Sequence, residues 1–205
     1  MEFNSSSKKG SPQKFLRRSS QEHSDIFEKS LNENRRVDTA TDTEDARSIS
    51  RAVLRKIEIV RDKQKRLKII KTISKLKSPW VPAVLLETLH DPSEEIKDFV
   101  VKELAQRKEL PLDCFYQKLC KTPWFIKSAV LRILSLRKKE DAVKHIQLVL
   151  NDANVDVRRS AALALGEIGG KEAKICLLQL AKDKSCYVRM AAEEALRKMI
   201  DLKFT

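Results

Sequence analysis

The chain has 205 residues, enough for one or two domains with a sizeable core. Hydrophobic residues make up 41% and charged residues 35%, against only 5% aromatic residues, 4 glycines and 6 prolines. This composition excludes an all-β fold and is typical of long helices with solvated faces. The formal net charge is +13, and the absence of a run of about 18 apolar residues predicts that the chain has no transmembrane segment.

The positive charge is concentrated in one short stretch of the sequence. Residues 46–80 carry 12 basic and only 2 acidic side chains. Most of the excess charge is therefore expected at one end of the molecule and not over its whole surface.

Residues 1–44 are predicted to be a disordered polar tail with both basic and acidic side chains. They are rich in Ser, Asn, Lys, Glu and Thr, and they show no sustained apolar period. Such a segment cannot bury enough apolar surface to offset the entropy that ordering would cost.

A helical period begins at about Asp45, and a second predicted helix runs from about Asp62 to Leu76. One buried stripe on the first helix is predicted from the apolar residues at helical spacing, Ile49, Ala52, Val53, Ile57 and Val60. The basic residues of the first helix lie mostly off this stripe. On the second helix the lysines are spaced three or four residues apart, so they lie on one face. We call the following seven residues the basic cluster: Arg47, Arg51, Arg55, Lys65, Lys68, Lys71 and Lys75.

Proline and glycine divide the rest of the chain into further helices. Pro79 and Pro82 interrupt the period after the second helix, and Gly169-Gly170 ends a later one, since proline lacks a backbone donor and glycine tolerates the left-handed conformation at a helix end. The predicted body, 45–205, then consists of five helix pairs at about 45–77, 80–107, 110–137, 140–169 and 171–202.

The C-terminal pairs repeat one pattern. The segment Asp152–Leu165 aligns with Asp183–Leu196 at a spacing of 31 residues, so that Val157-Arg158 corresponds to Val188-Arg189. Ile126-Lys127 and Ile96-Lys97 continue the pattern backwards. A fixed period of this size predicts stacked helical hairpins, and five pairs exceed the three or so that a continuous core requires.

The motif Asp152-x4-Val157-Arg158-x2-Ala161-Ala162-x-Ala164-Leu165-Gly166-x-Ile168-Gly169 resembles the HEAT repeat. It is most similar to the short variety found in phycobilin lyases and in many bacterial scaffold proteins. The resemblance is strong over about 140–200, fair over 81–136 and weak over 45–77. It implies an all-α, right-handed α-solenoid of about five HEAT-like helix pairs that follows the disordered tail.

Two departures from the motif are visible in the middle pairs. Lysine replaces arginine at Lys97 and Lys127, and Thr122-Pro123 stands where the other pairs carry aspartate. These repeats are expected to stack less regularly.

The Asp and Arg residues of the motif have a structural interpretation. Asp152 and Asp183 lie where a carboxylate can accept hydrogen bonds from the free amides at a helix start. Arg158 and Arg189 are expected to form ion pairs with such carboxylates, either in the same repeat or in the neighbouring one. Trp80 and Trp124 each adjoin a proline at a repeat boundary and are predicted to fill the junctions between repeats.

The sequence shows no motif for catalysis. It lacks a nucleotide-binding glycine loop, a nucleophile elbow and a His-Glu-x-x-His pair. Its cysteines, with no C-x-x-C pair among them, indicate reduced thiols and a cytoplasmic protein. We therefore expect no catalytic residue, no cofactor and no metal site.

Three hypotheses about function stay open at this stage. The first is a non-catalytic scaffold or adaptor that holds another protein along its concave face, with Lys97, Lys127, Arg132 and Arg159 as exposed candidate contacts. The second is binding of a polyanion, either a nucleic acid or an acidic protein segment, through the basic cluster. The third is a bilin lyase or a chaperone of chromophore proteins, which only the resemblance implies.

Overall fold

The structure, a computed structural model, describes residues 40–201 except residue 109, and its described part contains ten α-helices and no strand. The helices are α1 (Ala40–Glu58), α2 (Lys63–Ser74), α3 (Val81–Thr88), α4 (Glu94–Gln106), α5 (Asp113–Lys121), α6 (Trp124–Arg137), α7 (Ala142–Ile146, continued by a 3-10 turn at Gln147–Val149), α8 (Val155–Ile168), α9 (Gly170–Leu180) and α10 (Cys186–Asp201). The chain divides into two units at Asp45–Ala46, and the description below concerns the second unit. Residues 1–39 of the predicted disordered tail lie outside the described part. For residues 40–44 the prediction of disorder is wrong, because α1 begins at Ala40.

None of the helices within the described ranges has the length and the apolar character needed to cross a lipid bilayer.

The helix ends follow from local chemistry. Asp62 accepts a hydrogen bond from the amide of Lys65 at 2.7 Å and thereby caps α2. Asn154 caps α8 by accepting from the amides of Asp156 and Val157. Gly169 ends α8 with a φ of 74° and donates its amide to the carbonyl of Leu165. These caps satisfy backbone groups that a helix end otherwise leaves unpaired.

The helices form stacked hairpins, which confirms the all-α repeat solenoid. Within each hairpin the first helix packs on the second, as α3 does on α4, α5 on α6, α7 on α8 and α9 on α10. The second helices lie side by side in the order α4, α6, α8, α10. Side chains join α2 to α4, since the Lys63 ammonium lies 3.0 Å from the Glu95 carboxylate.

One aliphatic core runs through the stack. Ile96, Ile126, Val157 and Val188 occupy the same place in successive second helices and are all fully buried. Small residues bring α8 and α10 close together, because a Cβ atom built on Gly166 would lie 2.6 Å from the Cβ of Ala195. The continuous core and the close approach follow from the repeating pattern of the sequence.

Two details of the predicted elements are wrong. The predicted stripe of α1 included Ile49 and Ala52, but both are exposed, and Ser50 is buried beside Val53 and Ile57 instead. The Ser50 hydroxyl donates to the carbonyl of Arg47 at 2.9 Å, so its burial leaves no donor unpaired. The predicted helix at 141–150 is α-helical only over Ala142–Ile146.

A row of ion pairs connects neighbouring hairpins. In each pair a cation in the first turn or two of a second helix meets an aspartate 25 residues later, in the turn of the next hairpin. The pairs are Arg66–Asp91 at 2.8 Å, Lys127–Asp152 at 2.7 Å and Arg158–Asp183 at 2.7 Å. We call this row the inter-repeat ladder.

Each arginine of the ladder holds two turns at once. Arg158 contacts both carboxylate oxygens of Asp183, at 2.7 and 2.9 Å, and its remaining nitrogen donates to the carbonyls of Asp152 and Ala153 in its own hairpin. The aspartate accepts in addition from the amide of Ser185 at 2.8 Å. The planar guanidinium fork therefore fixes the register between one hairpin and the next.

The ladder lowers the pKa values of two of its carboxylic acids, Asp183 and Asp152. Hydrogen bonds from Arg158 and from the Ser185 amide outweigh burial and hold the pKa of Asp183 below its ordinary value. Burial alone would raise the pKa of Asp152, but hydrogen bonds from Lys127 and from the Asn154 amide outweigh it, and that pKa is lowered as well. Both carboxylates therefore bind protons less readily in the folded chain than in the unfolded one.

Removing a buried rung carboxylate should be costly. In Asp183→Asn, Arg158 keeps its charge at 3% side-chain exposure without a counter-charge, and we expect the free energy of unfolding to fall by about 3 kcal/mol. The matched control is Asp98→Asn, which breaks a pair exposed by about half and should cost less than about 1 kcal/mol. Urea unfolding measures both, and equal losses would contradict the role of the ladder.

The same variant gives a prediction about pH. Folding lowers the pKa of Asp183, so the unfolded chain takes up the proton first as pH falls. The ionised Asp183 therefore stabilises the folded chain at pH values above its unfolded pKa, and this contribution is lost as pH falls below it. The difference in unfolding free energy between wild type and Asp183→Asn should be constant from pH 7 to about 5 and should narrow below about pH 4. Urea titrations at pH 7, 5, 4 and 3 measure this, and a difference that stays constant to pH 3 would contradict it.

The close approach of α8 and α10 gives a third prediction. Gly166→Ala puts a methyl group 2.6 Å from Ala195, and overpacking should lower the unfolding free energy by about 1–3 kcal/mol despite the better helix propensity of alanine. In the background of Ala195→Gly, the same change should instead stabilise the helix by about 1 kcal/mol. A double-mutant cycle with no coupling between the two positions would show that the helices are not in contact there.

Candidate functional site

A groove of about 540 Å³ crosses three neighbouring second helices, α4, α6 and α8. Its walls include Lys97 and Val101 from α4, Ser128 and Arg132 from α6, and Leu163 from α8. Because the core holds these helices side by side, and the Lys127–Asp152 rung joins α6 to the hairpin of α8, the groove is built on rigid elements. It lies on the second helices, where the sequence placed the partner-binding face.

Aromatic side chains form one end of the groove. Pro123 precedes the first residue of α6, Trp124, whose side chain is 49% exposed. The Trp124 ring meets the Phe125 ring edge to face at 5.9 Å, and His90 meets Phe125 in the same way at 6.0 Å. This arrangement is favourable for aromatic pairs, and it holds the exposed indole in one orientation.

The aromatic end coincides with a missing rung of the ladder. By position, Lys97 should meet a carboxylate in the turn before α6, but that turn reads Lys121-Thr122-Pro123. Thr122 donates its hydroxyl to the carbonyl of Lys118 instead. Lys97 therefore pairs with Glu94 on its own helix at 2.6 Å, and its ammonium lies 5.9 Å from the centroid of the Phe125 ring.

Carboxylates outnumber cations in the lining of the groove, by four (Asp91, Glu94, Asp98 and Glu167) to two (Lys97 and Arg132). Both cations are paired, Lys97 with Glu94 and Arg132 with Asp98. The buried hydroxyl of Ser128, also in the wall, has no hydrogen-bond partner in the described part of the chain. The groove thus offers apolar surface, a few polar groups and no unpaired cation among its lining lysine and arginine side chains.

The four predicted contacts on the second helices separate into different places. Lys97 and Arg132 line the groove, whereas Arg159 is exposed on α8 outside the lining residues. The expectation that Lys97 and Lys127 are exposed is wrong, because only 18% and 17% of their side chains are accessible. Lys127 belongs to the ladder through Asp152, and stacking explains its position.

The basic cluster forms a second surface. All seven of its residues are exposed; six lie on α1 or α2, and Lys75 is the C-cap residue of α2. None of them forms an ion pair with another described residue, and none lines the groove. Lys71 lies over the ring of Phe99 at 5.6 Å, which is its one aromatic contact among the described residues.

Sequence reasoning missed two kinds of residue. Trp124 was predicted to fill a junction, but it is half exposed, whereas Trp80 does pack against the core. The first rung of the ladder, Arg66, was overlooked because Lys65 before it is not apolar. Its signal was present in the spacing to Ile73, seven residues later, and in Asp91, 25 residues later.

Comparison with known proteins agrees with this geometry. The family model of HEAT repeats matches residues 115–197, which include the hairpins α5/α6 to α9/α10. A search of the curated proteins found no match. HEAT repeats generally serve as scaffolds for protein interactions and are typically non-enzymatic. The stacked hairpins and this match show that residues 115–197 consist of HEAT repeats.

Proposed function

We propose that the protein is a non-catalytic adaptor that holds a segment of another protein in the groove across α4, α6 and α8. The observation that carries this proposal is Trp124, a tryptophan that is 49% exposed at the end of a groove formed by three packed helices. Tryptophan is among the residues that contribute most to binding when a partner covers it.

The chemistry of the groove favours a peptide segment with an apolar anchor. Leu163 is 45% exposed in the wall opposite the aromatic end, so two separated apolar contacts are available to one ligand. An amphipathic helix laid in a groove makes such contacts at regular spacing. With four carboxylates and two cations in its lining, the groove gives no long-range attraction for a polyanion. The unpaired Ser128 hydroxyl favours a partner with a polar group that can reach it.

The proposal is tested by affinity capture with matched variants of the full chain. Trp124→Ala should weaken retention of groove partners by about 30-fold, the loss expected for a residue worth about 2 kcal/mol in an interface. Tyr187→Ala is the control, because Tyr187 is 67% exposed on α10 and does not line the groove. Quantitative mass spectrometry compares the captured proteins, and circular dichroism verifies that both variants fold.

The outcomes of this experiment are distinct. Proteins that wild type and Tyr187→Ala retain, and that Trp124→Ala loses, support the groove, particularly if retention survives added salt. Equal retention by all three proteins would contradict the proposal. Bilin lyase activity stays a prediction, since no observation on the described residues favours it.

A further inference from the structure

Among the residues that the structure describes, none covers one face of α2, whereas the corresponding face of every later second helix is covered. On α10 the corresponding face receives α8, because Gly166 packs against Ala195. Ala192, one turn before Ala195 on that face, is fully buried, as are its equivalents Ala161, Val130 and Val100 in the preceding hairpins. The equivalent on α2 is Ile69, which is 36% exposed.

The open face has the pattern of a helix-packing surface. Ile69 lies on α2 and Leu76 follows the C-cap residue Lys75; the two are seven residues apart and form an apolar row, in which Leu76 is 44% exposed. Lys68 and Lys75, also seven residues apart and exposed, form a parallel cationic row, with Lys65 between the two rows. Apolar and charged rows with this spacing are the contact geometry of two helices packed side by side.

The charges indicate what the second helix carries. None of Lys65, Lys68 and Lys75 forms an ion pair with another residue that the structure describes, and the whole stretch 46–80 is strongly basic. A helix that covers Ile69 and Leu76 would place its flanking side chains against these lysines. Acidic flanks would be attracted and basic flanks repelled, which is how charged positions beside a helix seam select a partner.

A second copy of the chain fits this face poorly. The C-terminal face of α10 presents Arg189, Glu193 and Arg197 where α8 presents Arg158, Ala162 and Gly166. Stacked end to end, Arg189 would need a carboxylate at the position that Val60 occupies in the first hairpin. Arg197 would in addition approach the lysines of α2. End-to-end self-association would therefore bury charges without partners.

We propose that the face formed by Lys65, Lys68 and Ile69 of α2, together with Lys75 and Leu76 just after its end, binds an acidic amphipathic helix of a partner protein, which takes the place of a preceding second helix in the stack. This interaction lies outside the groove and goes beyond the proposed function. The apolar row favours a helix over a nucleic acid, because Ile69 and Leu76 have no contact to make with a phosphate backbone. The face also lacks aromatic residues on which bases could stack.

The probe is a fluorescein-labelled helical peptide of three heptads, with Leu at the a and d positions and Glu at the e and g positions. Fluorescence anisotropy measures its binding to the full chain. Two control peptides have Lys in place of Glu, or the same residues in scrambled order. Wild type should bind the acidic peptide at least about 10-fold more tightly than either control, because only that peptide matches both rows.

Variants of α2 separate the contributions of the two rows. Ile69→Asp/Leu76→Asp should lose at least about 10-fold in affinity for the acidic peptide. Lys68→Glu/Lys75→Glu should lose affinity for the acidic peptide by a similar factor and should gain affinity for the Lys peptide. Because both positions are exposed, this variant is expected to fold. The matched control is Lys171→Glu/Lys174→Glu, two exposed lysines on α9, which should leave binding unchanged. Trp124→Ala should also leave it unchanged, so a failure here is distinguishable from a failure of the groove.

Other occupants would give different results. A labelled 20-base-pair DNA duplex or phosphatidylserine vesicles that bind more tightly than the acidic peptide, and whose binding is insensitive to Ile69→Asp/Leu76→Asp, would overturn the proposal in favour of a polyanion. Self-association in light scattering that Ile69→Asp/Leu76→Asp abolishes would overturn it in favour of a second copy. Acidic and scrambled peptides that bind equally well would overturn it too.

Discussion

The architecture depends on an ion pair that joins one hairpin to the next. Arg158 donates two hydrogen bonds to the carboxylate of Asp183 and also donates to two backbone carbonyls of its own hairpin. Arg66 makes the same contacts with Asp91 and with its own hairpin at the other end of the stack. Aliphatic packing by itself is non-directional and would tolerate sliding between helices. The ladder adds a directional constraint, and once each register is set, the faces left over on the second helices are set as well.

The groove lies where this constraint is interrupted. Without a carboxylate before α6, Lys97 turns to Glu94 and to the ring of Phe125, and the proline of that turn brings Trp124 to the first position of α6. Lys97, which would have stabilised the stack at this rung, lines the groove instead. A local loss of regularity and a candidate binding site have the same origin, as is common where functional sites interrupt a repeating pattern.

The two ends of the described stack present different sets of side chains. On the far side of α10, Glu193 and Arg197 stand where α8 has small residues, and Ile200 beside them is 49% exposed. On the open side of α2, Ile69 and Leu76 are partly exposed beside a row of lysines. A face that combines apolar side chains with charges of one sign is suited to a specific partner.

The sequence alone determined the helices, their pairing and most of their ends. The apolar period, the capping residues, proline and glycine each act over a few residues, and the pattern they form recurs every 31 residues. The same repetition predicted the buried positions of Val157 and Val188 and the structural role of Arg158. Only the tertiary structure decided that Trp124 is exposed, that Lys127 is a rung and that one face of α2 is uncovered. These properties depend on which residue lies opposite each side chain in the stack. That residue changes where the turn before α6 lacks a carboxylate, and where no described helix packs on α2, although the local sequence pattern stays the same.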